Sequence, residues 1–126
     1  MRAITQSFSR ESYPAVAAGA TVQYSATLVD QDNQLIGAAD IDSFTLSVVD
    51  TKTGDIINSV DDTNILNLDR GTVDDKGNVR VILMPEDTLL DSGVKRAVRS
   101  IVLKWSYSGG KRGRHQVDFR IEALAD

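Results

Sequence analysis

The sequence near the carboxyl end restricts the possible folds most, because two long alternating segments flank a glycine-rich break. The first segment reads RAVRSIVLKWSY and starts at Arg96, and the second reads RHQVDFRIEAL and starts at Arg114. Apolar and polar side chains alternate in both, which is the period of a β-strand with one buried face. The break SGGKRG, residues 108–113, predicts a wide hairpin loop. Its glycines are expected to supply the positive φ angles: Gly109, Gly110 and Gly113.

The rest of the chain is expected to supply the strands that this hairpin needs, because its apolar face must be buried against a second layer. Alternating segments are predicted at 21–29, 43–49 and 78–83, with a short edge strand at Ile56 and Ile57. Turn signals rich in Asp, Asn and Gly separate these segments. About seven short strands without helical periodicity predict an all-β, antiparallel two-sheet sandwich.

Two short helical segments are predicted between strands. Asp61-Asp62-Thr63 is suited to cap one helical turn over residues 65–68, and residues 85–90 are suited to a short helical crossover. Shared parity within each strand also predicts the core. The side chains expected to be buried are Tyr24, Leu28, Phe44, Leu46, Leu83, Leu103, Trp105, Phe119 and Ile121.

A length of 126 residues predicts one domain, divided into an extended N-terminal arm at 1–19 and a sandwich at 20–126. The arm contains Tyr13 followed by proline, which favours extended backbone. Phe8 and Tyr13 are its large apolar side chains, and no strand pattern predicts their burial within the sandwich. The arm is therefore either a frayed terminus or a segment that becomes ordered against a partner.

Composition limits the chemistry that the chain can carry. It has no cysteine, so disulfides and thiolate metal sites are excluded, and this fits folding in a reducing cytoplasm. No apolar run is long enough to span a membrane, and the N-terminus has no apolar core typical of a signal peptide. Residues 1–94 carry six basic and fifteen acidic side chains, whereas residues 95–126 carry eight and three. This asymmetry indicates either solvated strand faces or acidic and basic ends that contact copies or partners.

The acidic turns and the single histidine are the candidates for metal or catalytic sites. Asp30, Asp32 and Asn33 begin like a calcium loop, but the pattern ends at Gln34, so turn formation is favoured. His115 is expected at the rim of the hairpin, where a zinc site would have only carboxylates to complete it. No G-x-S-x-G motif is present. We therefore expect no enzyme activity, catalytic residue, metal or cofactor.

A basic cluster surrounds the hairpin and favours an acidic protein partner. Phosphate could also bind such groups, but the neighbouring aromatic side chains have the parity of the core and the sequence pI is about 4.9, so nucleic acid is not the expected partner. The cluster consists of Lys95, Arg96, Arg99, Lys104, Lys111, Arg112 and Arg114.

Four runs of the sequence resemble small immunoglobulin-like structural proteins of tailed bacteriophage virions: YSATLVDQDNQLI, IDSFTLSVVDTKTGDIINSVDDTNILN, VRVILMPEDTLL and IVLKWSYSGGKRGRHQVDFRI. The resemblance covers about residues 20–124. It depends mainly on D-x-x-T-G-x-I-I-N at 50–58 and on W-x-Y-x-G-G at 105–110. These phrases define a fold and carry no catalytic residues.

The resemblance implies an immunoglobulin-like sandwich and a non-enzymatic virion component in capsid decoration, the neck or collar, or the tail. Such a protein is made in the host cytoplasm and binds other virion proteins in several copies, without nucleic acid or membrane. A carbohydrate-binding or adhesin module is the alternative, because it uses the same scaffold. The residues expected to bind the partner are Phe8, Tyr13, Lys111, Arg112 and Arg114.

Overall fold

The chain folds as an all-β sandwich of two sheets, which confirms the predicted fold class. A computed structural model describes residues 2–4, 9–30, 32, 34–66 and 70–123. Short 3₁₀ turns at Ala38–Asp40 and Pro85–Asp87 interrupt the strands. The strands are β1 Arg2–Ile4, β2 Ser9–Ala17, β3 Val22–Leu28, β4 Ile41–Asp50, β5 Thr63–Asn64, β6 Gly71–Val73, β7 Asn78–Leu83, β8 Arg96–Tyr107 and β9 Lys111–Glu122.

The order of the strands is that of an immunoglobulin domain. One sheet has the order β1-β3-β7-β6, and the other has the order β2-β9-β8-β4-β5. With β3 as strand B and β9 as strand G, these orders correspond to A-B-E-D and to G-F-C with an added strand on each side. Most pairs are antiparallel, but β1 pairs with β3 and β2 pairs with β9 in parallel, so the sandwich is not purely antiparallel.

The core lies between the two sheets and follows the parity of the strands. All nine side chains predicted to be buried are at most 3% exposed, so the core prediction is confirmed. The aromatic side chains dominate its centre, where the rings of Phe44 and Trp105 stack with their centroids 6.1 Å apart. These two residues face each other in the β4–β8 register, so the alternation of each strand places both rings on the inner face.

The described residues form nine strands rather than about seven, because four short or edge strands have little periodicity of their own. Two of these strands, β1 and β2, lie in the segment predicted as an arm. Strand β2 adds to the edge of the five-stranded sheet over a register from Ser9 to Ala17. The predicted helical cap at residues 61–63 is wrong, because Thr63 and Asn64 form β5 against β4.

The final hairpin turns in three residues rather than six. Ser108, Gly109 and Gly110 have φ of 44°, 81° and 111°, so two of the three glycines occupy the predicted positive φ positions. Gly113 does not, because strand β9 already begins at Lys111. The shorter turn allows β8 and β9 to pair continuously from Tyr107–Lys111 to Arg96–Glu122.

Gly113 is required for a steric reason instead. It lies opposite Trp105 in the β8–β9 register, on the inner face of the sheet. A Cβ built on Gly113 would lie 2.6 Å from Nε1 of the indole and closer still to two ring carbons. The indole therefore occupies the space that any other residue would need for its side chain.

A buried polar cluster lies at the end of the sandwich opposite the β8–β9 turn. The carboxylate of Asp87 is 1% exposed and pairs with the guanidinium of Arg70. It also accepts hydrogen bonds from the Met84 amide at 2.8 Å and from Nδ2 of Asn58 at 3.1 Å. The Asp87 carbonyl accepts a bond of 2.7 Å from Nη1 of Arg99. These bonds connect the crossover between the sheets to β8, because Arg99 points inward between them.

Replacing Gly113 with alanine is expected to destabilise the fold by about 2–3 kcal/mol, because the new methyl group overlaps the indole of Trp105. The measurement is urea unfolding followed by far-ultraviolet circular dichroism, because Trp105 is the single tryptophan of the chain and one variant of the cycle lacks it. In a double-mutant cycle with Trp105→Phe, the loss should be smaller, since the smaller ring removes part of the overlap. Arg112→Ala, an exposed neighbour on β9, serves as the control and should change stability little.

Replacing Asp87 with asparagine is expected to lower the free energy of unfolding by about 2–4 kcal/mol, because it removes the counter-ion of Arg70 inside the fold. The volume of the side chain stays the same, so packing is preserved. Asp91→Asn is the matched control, since Asp91 lies in the same crossover but is exposed. Equal midpoints for the two variants in chemical denaturation would contradict the assignment of Asp87 as the buried counter-ion of Arg70.

Candidate functional site: the outer face of the five-stranded sheet

The basic cluster predicted from the sequence does not form one surface. Arg99 points inward and is 6% exposed. Lys95 and Arg96 lie at the start of β8, at the opposite end from the hairpin turn. Lys104, Arg112 and Arg114 do come together, because all three point away from the core on neighbouring strands. The alternation of β8 and β9 thus selects a subset of the cluster.

These three cations line a shallow groove on the outer face, which we call the basic groove. Its volume is about 480 Å³, and Trp105 and Gly113 also line it. Two rows of side chains cross it, because the strands pair in register. The rows are Ser43, Ser106 and Arg112, and then Thr45, Lys104 and Arg114.

The basic groove offers both charge and hydrogen bonds to a ligand. Arg112 and Arg114 are exposed, and each guanidinium can bind a carboxylate through two parallel hydrogen bonds. Ser43 and Ser106 share a hydrogen bond of 2.7 Å between their hydroxyl groups in the groove. The arrangement suits acidic side chains of a macromolecule, because the groove is open along the sheet.

Carboxylates border the other side of the same face. Asp61 and Asp62 are exposed beside β5, and Oδ1 of each lies within 3.4 Å of the Ser47 hydroxyl. Asp62 also accepts a salt bridge of 3.0 Å from Lys104. Both side chains of that pair are about half exposed, so its contribution to stability is small. Around the basic groove, the face is therefore basic at Arg112 and Arg114 and acidic at Asp61 and Asp62, which precede β5.

A polar network continues this face away from the groove. The Ser100 hydroxyl donates to Oδ1 of Asp118 at 2.5 Å, and Nε2 of Gln116 donates to both groups at 3.2 and 3.1 Å. Val102 lies between these residues and the groove and is 7% exposed, although it points away from the core. The network fixes the outer side chains of β8 and β9, so the face is a rigid surface.

The residues predicted to bind a partner are found in three different settings. Arg112 belongs to the basic groove, while Lys111 lies at the first position of β9 with its ammonium 6.0 Å from the ring centroid of Tyr107. Tyr13 is half-buried, and its ring contacts Phe119 at a centroid distance of 4.7 Å. The sandwich does pack against Tyr13, contrary to the expectation. Phe8 lies outside the described residues.

The single histidine is a core residue, not a rim residue as expected. His115 is 3% exposed, and its ring stacks on Tyr24 with centroids 6.3 Å apart. It has the same parity as Val117 and Phe119 along β9, so the alternation of the sequence already contained this signal. The position of His115 close to the turn in the sequence did not predict its burial.

The acidic turns are closed by their own side chains. Oδ1 of Asp30 accepts hydrogen bonds from the amides of Asp32 and Gln34 at 2.8 and 2.9 Å, which is the geometry of an Asx turn. Asp74 does the same for Lys76 and Asn78. Within the described ranges, no group of three or more acidic or histidine side chains is placed to hold a metal ion.

Asp74 has the clearest electrostatic perturbation among these turns. Hydrogen bonds from the side chain and the backbone of Asn78 stabilise its ionised form and hold the pKa of the carboxyl below its usual value of 3.8. The cause is local, since the side chain is at the surface. Its ionisation therefore supports the turn rather than a site.

The described part of the chain contains no helix long and apolar enough to cross a membrane. Comparison with known proteins finds no matching family model, no matching curated protein and no matching solved structure.

Substituting Asp74 with asparagine tests the electrostatic origin of the turn. Because the folded pKa lies below the unfolded one, ionised Asp74 stabilises the fold above pH 3.8, and this contribution disappears as the pH falls through the lower folded value. The difference in melting temperature between wild type and variant should thus be greatest near neutral pH and shrink at acidic pH. The same scan on Asp75→Asn, the exposed neighbour, provides the control. A difference independent of pH would reject the electrostatic explanation.

Proposed function

We propose that this protein is a non-enzymatic structural component of a tailed bacteriophage virion that binds other virion subunits in several copies. Capsid decoration, the neck or collar, and the tail are the locations that the sequence resemblance favours. The main structural support for this proposal is the outer face of the five-stranded sheet. There the basic groove and the carboxylates beside β5 form a charged, open surface on a rigid scaffold. Such a surface is suited to binding a protein with complementary charge.

The scaffold supports this role because its recognition face is preorganised. Strands β8 and β9 pair over their full lengths, and the stacked rings of Trp105 and Phe44 support the face from below. A protein that binds through a preformed face loses little conformational entropy on association. Repeated attachment to a symmetric particle benefits from that property, since each copy must dock in the same orientation.

The alternative, a carbohydrate-binding or adhesin module, receives less support from the aromatic residues. Sugar rings are bound by exposed aromatic faces. In the described chain, however, the large rings lie inside the sandwich, and Tyr13 is half-buried against Phe119. The aromatic residues that are at most 2% exposed are Tyr24, Phe44, Trp105, Tyr107 and Phe119.

Attachment to the virion is proposed to use two kinds of contact. Lys111, Arg112 and Arg114 provide orientation and a faster association rate, because exposed ion pairs add only about 0–1 kcal/mol each. Phe8 provides an apolar anchor whose burial against a subunit contributes about 1.5–3 kcal/mol before the entropy of ordering is subtracted. Tyr13 supports the N-terminal segment by packing on Phe119.

Point variants test this division better than truncation, because deleting residues 1–18 would also remove β1 and β2 from the two sheets. Purified virions that lack the protein are mixed with the labelled chain, and binding is measured by co-sedimentation at low and high salt. The Lys111/Arg112/Arg114→Ser variant should bind more weakly at low salt, where charges are least screened. Phe8→Ser should weaken binding at both salt concentrations.

The matched control is Lys52/Lys76/Arg80→Ser, which removes three cations outside the groove. It should bind like the wild type. Failure of the wild-type chain to bind any virion component, or its absence from particles of the phage that encodes it, would overturn the proposed function. Full binding by both test variants would overturn the contacts assigned here and leave the location on the virion to be found by particle reconstruction.

A further inference from the structure

Around the basic groove, the charge on the outer face of the five-stranded sheet changes sign in one direction, from β9 to the two residues that precede β5. Arg112 and Arg114 lie at the basic side, on a strand next to the sheet edge formed by β2. Asp61 and Asp62 lie at the acidic side, beside the short edge strand β5. Lys104 and the serine and threonine side chains of β4 and β8 lie between the two sides, and Lys104 pairs with Asp62. The gradient therefore runs across the strands.

A surface with this gradient is complementary to itself under one particular rotation. A two-fold axis that lies between two facing sheets and runs parallel to their strands places the β9 side of one copy opposite the β5 side of the other. Each basic side then meets an acidic side. An axis across the strands would instead place arginine against arginine, so electrostatics selects the first arrangement.

We propose that the outer face of the five-stranded sheet binds the same face of a second copy of this chain, as a two-fold dimer with Arg112 and Arg114 opposite the second copy's Asp61 and Asp62. The contact is isologous, so both pairs of charges occur twice and the assembly closes at two chains. The hydroxyl groups of Ser43 and Ser106 lie near the centre of the face, where they can bond across the interface.

The size of the face predicts how strong the dimer is. Strands β8, β9 and β4 have twelve, twelve and ten residues. At about 3.4 Å per residue along each strand and about 4.8 Å of width per strand, they present roughly 550 Å². A standard stable interface buries about 800 Å² per partner. The dimer is thus expected to be weak and dependent on concentration, and its charged rim makes it sensitive to salt.

A second copy fits this face better than a uniformly acidic partner. An acidic partner would be attracted by the basic groove but repelled by Asp61 and Asp62 on the same surface. Only a surface with the opposite order of charges satisfies both sides, and this chain carries one. The inference concerns the isolated chain, so it can fail without affecting the proposed role in a virion.

Sedimentation-velocity ultracentrifugation of the purified full chain tests the proposal at salt concentrations of about 0.01 M and about 1 M, between which the Debye length falls from about 30 to about 3 Å. At low salt, the mass should rise with concentration toward twice 13.7 kDa, and at high salt it should stay at one chain. Arg112→Glu/Arg114→Glu should weaken the dimer by about tenfold or more. Asp61→Lys/Asp62→Asn should do the same, with asparagine chosen because Asp62 has a φ of 46°.

Mixing the two charge variants is the decisive arm. One variant is acidic on both sides of the face and the other is basic on both sides, so together they should form a mixed dimer with at least the wild-type affinity. Arg80→Glu, a reversal on the exposed face of the other sheet, is the matched control and should dimerise like the wild type. Circular dichroism confirms that each variant is folded.

Three results would overturn the proposal. They are a wild-type chain that stays monomeric at low salt, growth beyond two chains, or charge variants that fail to associate with each other although both are folded. A wild-type chain that remains monomeric but binds polyglutamate at low salt would also overturn it, and would assign the basic groove to a different acidic protein.

Discussion

The packing of one indole against one glycine is the constraint on which the sandwich depends most. Trp105 is the largest buried side chain, and it fills the inner face only because Gly113 lies opposite it without a side chain. The stacked ring of Phe44 then continues this layer onto β4. Since β8 and β9 are the long central strands, their relative position fixes the outer face as well. A shift of the register by one residue would turn Trp105 outward and Arg112 inward.

The polar end of the core follows a different principle from the apolar centre. Asp87 and Arg99 are buried and Arg70 is partly buried where the crossover from β7 reaches β8. The Asp87 carboxylate pairs with Arg70, and the Asp87 carbonyl accepts a hydrogen bond from Arg99. Burial lowers the pKa of the Arg70 guanidinium, and the nearby charge of Glu86 acts in the opposite direction. A cluster of this kind adds little net stability compared with apolar packing. It connects the crossover to β8, and loss of one partner would leave a buried charge unpaired.

The long strands, the core and the fold class could be predicted from the sequence, because alternation over seven or more residues indicates directly which face of a strand is buried. The same alternation would have placed His115 inside and divided the basic cluster, since Arg99 shares the parity of Trp105. The alternation did not predict the short elements. Strand β5 has only two residues, and β2 is a strand mainly because its backbone can pair with β9. Such elements depend on tertiary contacts that no local pattern records.

The effect of the uneven charge distribution along the chain is apparent only in the folded sheet. A long acidic segment, residues 1–94, followed by a shorter basic segment, residues 95–126, would suggest a protein with two oppositely charged ends. The fold instead interleaves them, because β4 and β5 come from the acidic part while β8 and β9 come from the basic part, and all four belong to one sheet. Cations of β8 and β9 therefore share one face with Asp61 and Asp62, the two residues that precede β5. Charges that lie far apart in the sequence are thus brought together within a width of about four strands. This is the scale on which one protein surface recognises another.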